Sequence, residues 1–393
     1  MPRRLDTLDA MPSAADFYEL YWNRRPFLVR GAIPAEDIDA LISADELAGL
    51  SMEDAPQSRM VKSAGDHKNW SCRFGPFMQD DFATVGETDW SLLVQNVEQF
   101  HPDTAELLRH FTFAPRWLMD DIMISYSATG GSIGPHIDSY HVFLVQGQGR
   151  RRWRVGREPI RDEIYVEGVD FKLLKHGFEG DTFEVNCGDV LYLPPRFGHE
   201  GTTLGNAMTF SVGFLGPKTS DLLIGYGQYL SQFEDLDQRY VGEGLTNDSA
   251  GFTIDLNALA SVRERMTRPF DAKAFAAWLV EFFTESSHDD FGNYVEREDP
   301  MAVGVFTDAL KDGAYLIKPP FVKFVLTANS AGEFHLGFDR HSFALANDLL
   351  PVIQAFMKER PVCASQHPEL FQNPGAFALL YELFNHEALE FTP

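Results

Sequence analysis

Between residues 122 and 214 the chain is cut into segments too short for stable helices and too apolar for loops: 122–126, 136–145, 150–155, 182–185, 190–193 and 208–214. Glycine, proline, asparagine and aspartate separate them. Segments of this kind cannot bury an apolar face alone and must pair. Such a run, punctuated by turn residues, predicts an all-β barrel or jelly roll.

The same region carries the chemistry. Residues 131–155 read GSIGPHIDSYHVFLVQGQGRRRWRV. In a strand, residues two apart point the same way, so His136 and Asp138 should project to one face as two neighbouring ligands of one metal. His141 is at odd spacing from His136 and should point to the other face. A third ligand must come from a distant strand that barrel closure brings near. His199 fits, at the end of VNCGDVLYLPPRFGH, where Gly188-Asp189 makes a turn, 190–193 a strand, and Pro194-Pro195 ends that strand before the histidine. Two histidines and one carboxylate are the facial set used by non-haem Fe(II) oxygenases, which leaves positions open for a bidentate cosubstrate and O₂. An H-x-D pair alone is weak, because a lone histidine is more often an ordinary core or surface residue. The later G-D-V-L-Y-L-P-P-x-x-x-H segment is what makes the pair specific. No cysteine lies at ligand spacing, which argues against structural zinc. His67, His101, His110, His176 and His335 have no comparable context.

A 2-oxoacid cosubstrate needs a cation for its far carboxylate. Parity separates the four arginines after the Gly-rich turn: Arg151 shares its face with Trp153 and Val155, whereas Arg150, Arg152 and Arg154 share the opposite one. With the apolar residues facing inward, Arg151 is the inward arginine, and its planar fork suits a carboxylate. Ser125 is a further hydroxyl candidate on the strand entering the site, ahead of Thr209 and Ser211.

At 393 residues the chain should form two or three domains. A net charge of -25 excludes a nucleic-acid binder as the first reading and is compatible with a basic partner. Three widely spaced cysteines suit reduced thiols. The N-terminal residues have arginines but no apolar core behind them, no run is apolar enough for a membrane span, and a cytoplasmic protein is expected. Ahead of the strand region, 16–21 reads as a short helix, 26–31 as a strand, and 37–50 as one helix. Beyond residue 216, helices are expected over 220–233, 256–266 and 271–284. The last carries an aromatic face of Phe275, Trp278, Phe282 and Phe283 that suits a core or a subunit interface. A hairpin over 321–338 and helices over 343–358 and 377–385 then suggest a winged-helix-like module that is not basic.

The His136-Ile-Asp138 pair, the QGQGRRRWRV turn and the GDVLYLPP…His199 segment together resemble the JmjC-type cupin oxygenases. With YWNRRPFLVRG at 21–31 and WSLLVQ at 90–95, they are similar to the bacterial ribosomal oxygenases that hydroxylate an arginine of a large-subunit ribosomal protein. The resemblance spans the whole chain. It implies an α+β fold with an N-terminal double-stranded β-helix over 1–216, a helical dimerisation segment over 217–298 and a winged-helix-like module over 299–393. It further implies Fe(II) at His136, Asp138 and His199, and 2-oxoglutarate at Arg151 and Ser125 with O₂ as the other cosubstrate. The implied partners are a basic ribosomal protein and a second copy of the chain, with no nucleic acid or membrane directly. Histidine hydroxylation, or a metal-binding cupin serving as an assembly module without oxygenase activity, are the alternatives; the latter has no need of an inward Arg151.

Overall fold

The computed structural model of the chain describes residues 4–63, 69–243, 245–246, 254–271, 273–285, 299–329, 331–358 and 360–392. Its contacts divide into two compact units, Met1–Gly216 and Pro217–Pro393.

In the first unit the strands are β1 (Asp6–Leu8), β2 (Phe27–Val29), β3 (Ser58–Ser63), β4 (Trp70–Phe74), β5 (Trp90–Val94), β6 (Met119–Ser127), β7 (His141–Gln146), β8 (Arg150–Pro159), β9 (Gly180–Asn186), β10 (Val190–Leu193), β11 (Phe197–Thr203) and β12 (Ala207–Phe214). They form a nine-stranded sheet in the order β1-β2-β10-β7-β12-β6-β5-β3-β4 and a three-stranded sheet β11-β8-β9. The central strands β7, β10 and β12 are buried along their whole length, which explains why they read as continuous apolar runs rather than alternating ones. Their two faces serve two cores. Phe143, Val145, Val190, Tyr192, Phe210 and Val212 pack into the large aromatic cluster with Phe17 and Phe111. Val142, Leu144, Leu191 and Leu193 pack with Trp153, Val155 and Val185 of the smaller sheet. That second core holds the two sheets together and leaves room for a pocket at one end.

Two expectations fail locally in this unit. The segment 136–145 is not one strand: β7 starts at His141, because Gly134 sits at φ +74° and Pro135 has no N–H to give a ladder. The segment 37–50 is two helices, Ala35–Asp39 and Ala44–Leu50. The second is restarted by Ser43, whose hydroxyl accepts the Glu46 N–H while Glu46 takes the Ser43 N–H, a capping box that apolar spacing alone conceals. The strand expected over 190–193 is β10, ending before Pro194-Pro195 as expected, and His199 lies beyond it inside a further strand, β11, a Gly- and Thr-bearing strand paired with β8 and bulged between Phe197 and His199.

The second unit holds β13 (Tyr315–Ile317), β14 (Val325–Ala328), β15 (Phe334–Phe338), β16 (His341–Leu345), β17 (Val362–Cys363) and β18 (Glu390–Phe391), in two three-stranded sheets ordered β17-β13-β18 and β14-β15-β16. The expected hairpin is β14–β15. The helix expected over 343–358 begins later, at Leu350–Met357 with Pro351 in its first turn, and Phe343 and Leu345 belong to β16. Helix Lys273–Thr284 lies on the β14-β15-β16 sheet. A Cβ at Gly337 would come 2.4 Å from the Val280 carbonyl, so only glycine permits that approach. Its buried face is Ala276, Trp278, Val280 and Thr284, and Trp278 and Phe275 pack on Tyr226. Among the described residues no helix is long and apolar enough to cross a membrane.

Candidate metal centre

The segment entering β7 and the strand β11 are tied together by their main chains. The His136 N–H donates to the His199 carbonyl and the His199 N–H to the His136 carbonyl, each at 3.0 Å, and the Arg196 N–H donates to the Asp138 carbonyl at 2.8 Å. This clamp places three side chains together: the candidate ligand atoms of His136, Asp138 and His199 all lie within 4.8 Å of one another. His199 Nε2 is 3.4 Å from Asp138 Oδ2, and the two imidazole centroids are 4.0 Å apart.

The tautomers follow from the carbonyls. His136 Nδ1 lies 2.9 Å from the Gly134 oxygen and His199 Nδ1 3.0 Å from the Phe197 oxygen. A carbonyl only accepts, so each Nδ1 carries a proton, which leaves each Nε2 as the atom able to give its lone pair to a metal. Burial and the adjacent His199 push the His136 pKa down to about 4, outweighing Asp138, so the ring is neutral at physiological pH. Burial pushes the Asp138 carboxyl up, but the His199 hydrogen bond and both imidazoles outweigh it and hold the group below the usual carboxylate range. Two neutral imidazole donors and one carboxylate, on one side of a common point, fit a divalent first-row metal with open positions.

Arg151 faces the same pocket from β8. It is 4% exposed, its Nη2 donates to Ser127 Oγ at 2.8 Å, and Ser127 Oγ is 2.7 Å from Ser91 Oγ. Burial lowers its pKa only to about 10, so it stays charged. Its Nε is buried with no partner among the described residues, which leaves a donor unused beside the pocket that Arg151 lines. Room for the side chain comes from Gly201 on β11, where a Cβ would stand 2.8 Å from Arg151 Cδ. Alternation along β8 turns Arg151, Trp153 and Val155 inward, while Arg152 and Arg154 reach outward to Glu184 and Glu200.

The pocket, about 80 Å³, is lined by the three metal-ligand candidates with Arg151, Ser125, Thr209, Ser211 and Tyr140 among others. The Ser125 hydroxyl points at the Thr209 carbonyl, 3.4 Å away. Sequence reasoning missed Ser127 and Ser91. The signal was present in part: Ser127 shares the inner face with Ser125, but Ser91 enters only through its register opposite Ser127. It also missed Arg59 and Tyr140 in the lining. His141 is excluded as a ligand, as expected. It stacks on Trp22 at 3.5 Å and bonds Tyr192 Oη at 2.7 Å.

Residues 106–222 match the JmjC domain family. The chain is 39% identical over 305 residues to the ribosomal protein uL16 3-hydroxylase of Escherichia coli K12, covering 77% of this chain and 79% of that one. Its structure resembles the X-ray structure of E. coli YcfD, with a TM-score of 0.82 and 33% identity over 96% of this chain and 98% of that chain. It also resembles the ribosomal oxygenase YcfD from E. coli in complex with cobalt and 2-oxoglutarate, with a TM-score of 0.79, 32% identity and the same coverage.

Proposed function

This chain belongs to the JmjC-domain ribosomal oxygenases, and from that premise we propose that it 3-hydroxylates an arginine of ribosomal protein uL16. It is an Fe(II)- and 2-oxoglutarate-dependent dioxygenase. The observation that carries the assignment of roles is the pairing, in one pocket, of a two-histidine, one-carboxylate cluster with a buried arginine that has an unused donor. His136, Asp138 and His199 hold the iron. Arg151 takes the far carboxylate of 2-oxoglutarate, with Ser127 fixing its guanidinium and Ser125 adding a hydroxyl. Bound iron supplies the activation of O₂ against an unactivated C–H bond, with 2-oxoglutarate giving the electrons. The protein groups orient both cosubstrates and exclude water by burial.

An arginine target is favoured over histidine by what stands beyond Ser211 on the inner face of β12. The point where a Gly213 Cβ would lie is 2.9 Å from Asp121 Oδ1 and 3.6 Å from the Tyr140 ring. Asp121, whose carboxyl burial and Asp120 push up to about 7, stands beside the ring of Tyr140, which lines the pocket; a guanidinium placed there would hold that carboxyl ionised and lie against the ring. The acidic chain, at -25, suits a basic ribosomal protein in cytoplasm.

Helices Thr219–Leu230 and Leu256–Thr267, with Leu223, Ile224, Leu256, Leu259 and Met266 exposed, support a homodimer formed through the 217–298 segment, with 299–393 as a winged-helix-like module that docks protein rather than nucleic acid. Sedimentation velocity should report twice the 44.3 kDa chain mass; a monomer at micromolar concentration removes the dimer.

For the activity itself, purified chain, Fe(II), 2-oxoglutarate and recombinant uL16 should yield uL16 heavier by ~16 Da, one oxygen atom, localised by fragmentation to one arginine. Unmodified uL16, or oxygen on a histidine, would overturn the arginine assignment.

A further inference from the structure

A second groove, about 240 Å³, opens beside the metal pocket and is lined by Asp54, Gln57, Arg59, Phe74, Leu93 and Gln95 among others. Arg59 and Leu93 line both cavities. The sheet register explains why. Phe74 pairs with Arg59, Arg59 with Leu93, Leu93 with Ser125, and Ser125 with Thr209. Residues directly opposite in a sheet project to the same face, so one row of side chains runs from the edge strand β4 across β3 and β5 into the pocket wall. The neighbouring row repeats the pattern: Gln57 and Gln95, each two residues along from Arg59 and Leu93, are joined by a Gln95 N–H to Gln57 carbonyl bond of 2.9 Å.

The chemistry along this row changes from reaction to recognition. Ser125 and Thr209 belong to the metal pocket. Arg59 is only half-buried and its guanidinium has no hydrogen bond or ion pair among the described residues, and Phe74 is 60% exposed at the outer end. A guanidinium and two carboxamides match main-chain carbonyls and N–H groups, and an exposed ring is a platform for an apolar side chain. The pocket, about 80 Å³, is too small for a stretch of polypeptide, so a protein substrate must lay the residues flanking its modified side chain outside it.

We propose that the groove formed by Gln57, Arg59, Phe74, Leu93 and Gln95 holds the extended polypeptide that flanks the hydroxylated residue of the protein substrate. This rests on the hydroxylase reading above and adds to it the path of the substrate chain. The groove reads substrate main chain through Arg59 and the two glutamines and an apolar side chain through Phe74, so it sets affinity for the protein without touching the reacting atoms.

The test is the steady-state hydroxylation of recombinant uL16 by wild type and by a Phe74→Ala, Gln57→Ala double variant, both substitutions at exposed positions. KM for uL16 should rise about tenfold, equivalent to ~1.4 kcal/mol of lost binding, with kcat within about twofold, since the lost contacts are made equally before and during reaction. Benzoylphenylalanine at position 74 should photo-cross-link to uL16 within a few residues of the modified site. An unchanged KM, or cross-links confined elsewhere on uL16, would overturn the groove while wild-type hydroxylation left the function standing. Absence of modification by the wild type would remove both.

Discussion

With Asp138 replaced by alanine, 2-oxoglutarate turnover should fall at least about 100-fold, because loss of groups that merely support a ligand already costs 10–100-fold. The carboxylate is the single anionic donor of the set, held ionised by His199 and His136; its removal leaves two neutral imidazoles and no charge to balance a dication. The fold should survive. The Asp138 carboxylate lies 3.4 Å from His199 Nε2 and reaches into the pocket rather than the core, and the main-chain bond from Arg196 to its carbonyl does not depend on the side chain. Succinate formation and Mn(II) titration measure the two losses, and circular dichroism confirms the fold. Asp138→Asn separates charge from shape. Full turnover in either variant would sink the metal assignment.

Arg151→Ala should raise the KM for 2-oxoglutarate by at least about a hundredfold. Breaking a buried charge pair by removing one partner costs about 3–5 kcal/mol, and 2.8 kcal/mol is already about a hundredfold in affinity. Arg151→Lys should recover part of the loss, because an ammonium keeps the charge but cannot present two parallel donors. The cavity left above Trp153 lowers stability somewhat without removing the Ser127–Ser91 contact. A cosubstrate titration in which the alanine variant keeps the wild-type KM would show that the far carboxylate binds elsewhere. It would also restore the reading of the chain as a metal-binding module without oxygenase activity.

Much of this site was legible because it depends on local rules. Alternation along one strand suffices to turn Arg151 inward with Trp153 and to leave Arg152 and Arg154 in solvent, and the structure keeps that division. The distant third ligand was legible because a turn, a strand and two prolines frame His199. What escaped depends on relations between strands. Ser91 and Arg59 reach the pocket only through the order β6-β5-β3, which no local period encodes. His136 and Asp138 do come to one side, but not by alternation along a strand. Their common side comes from the bridge between His136 and His199, not from a strand of their own. At 37–50 the apolar spacing continued through a break that Ser43 and Glu46 impose by hydrogen bonding.

That bridge divides the chain between the ligands into parts of unequal tolerance. Residues 160–179 leave from the end of β8 and return at β9, and their exit is pinned where the Ile160 N–H meets the Arg196 carbonyl. Away from buried Leu173 and Leu174, this excursion can change length cheaply, since doubling a flexible loop costs only about 0.6 kcal/mol in closure entropy. A single residue inserted between His136 and Asp138 would instead displace one donor relative to a backbone that the opposing strand holds still. The excursion is therefore the place where the chain can be lengthened, or made to carry a reporter, while the spacing of the three donors stays fixed.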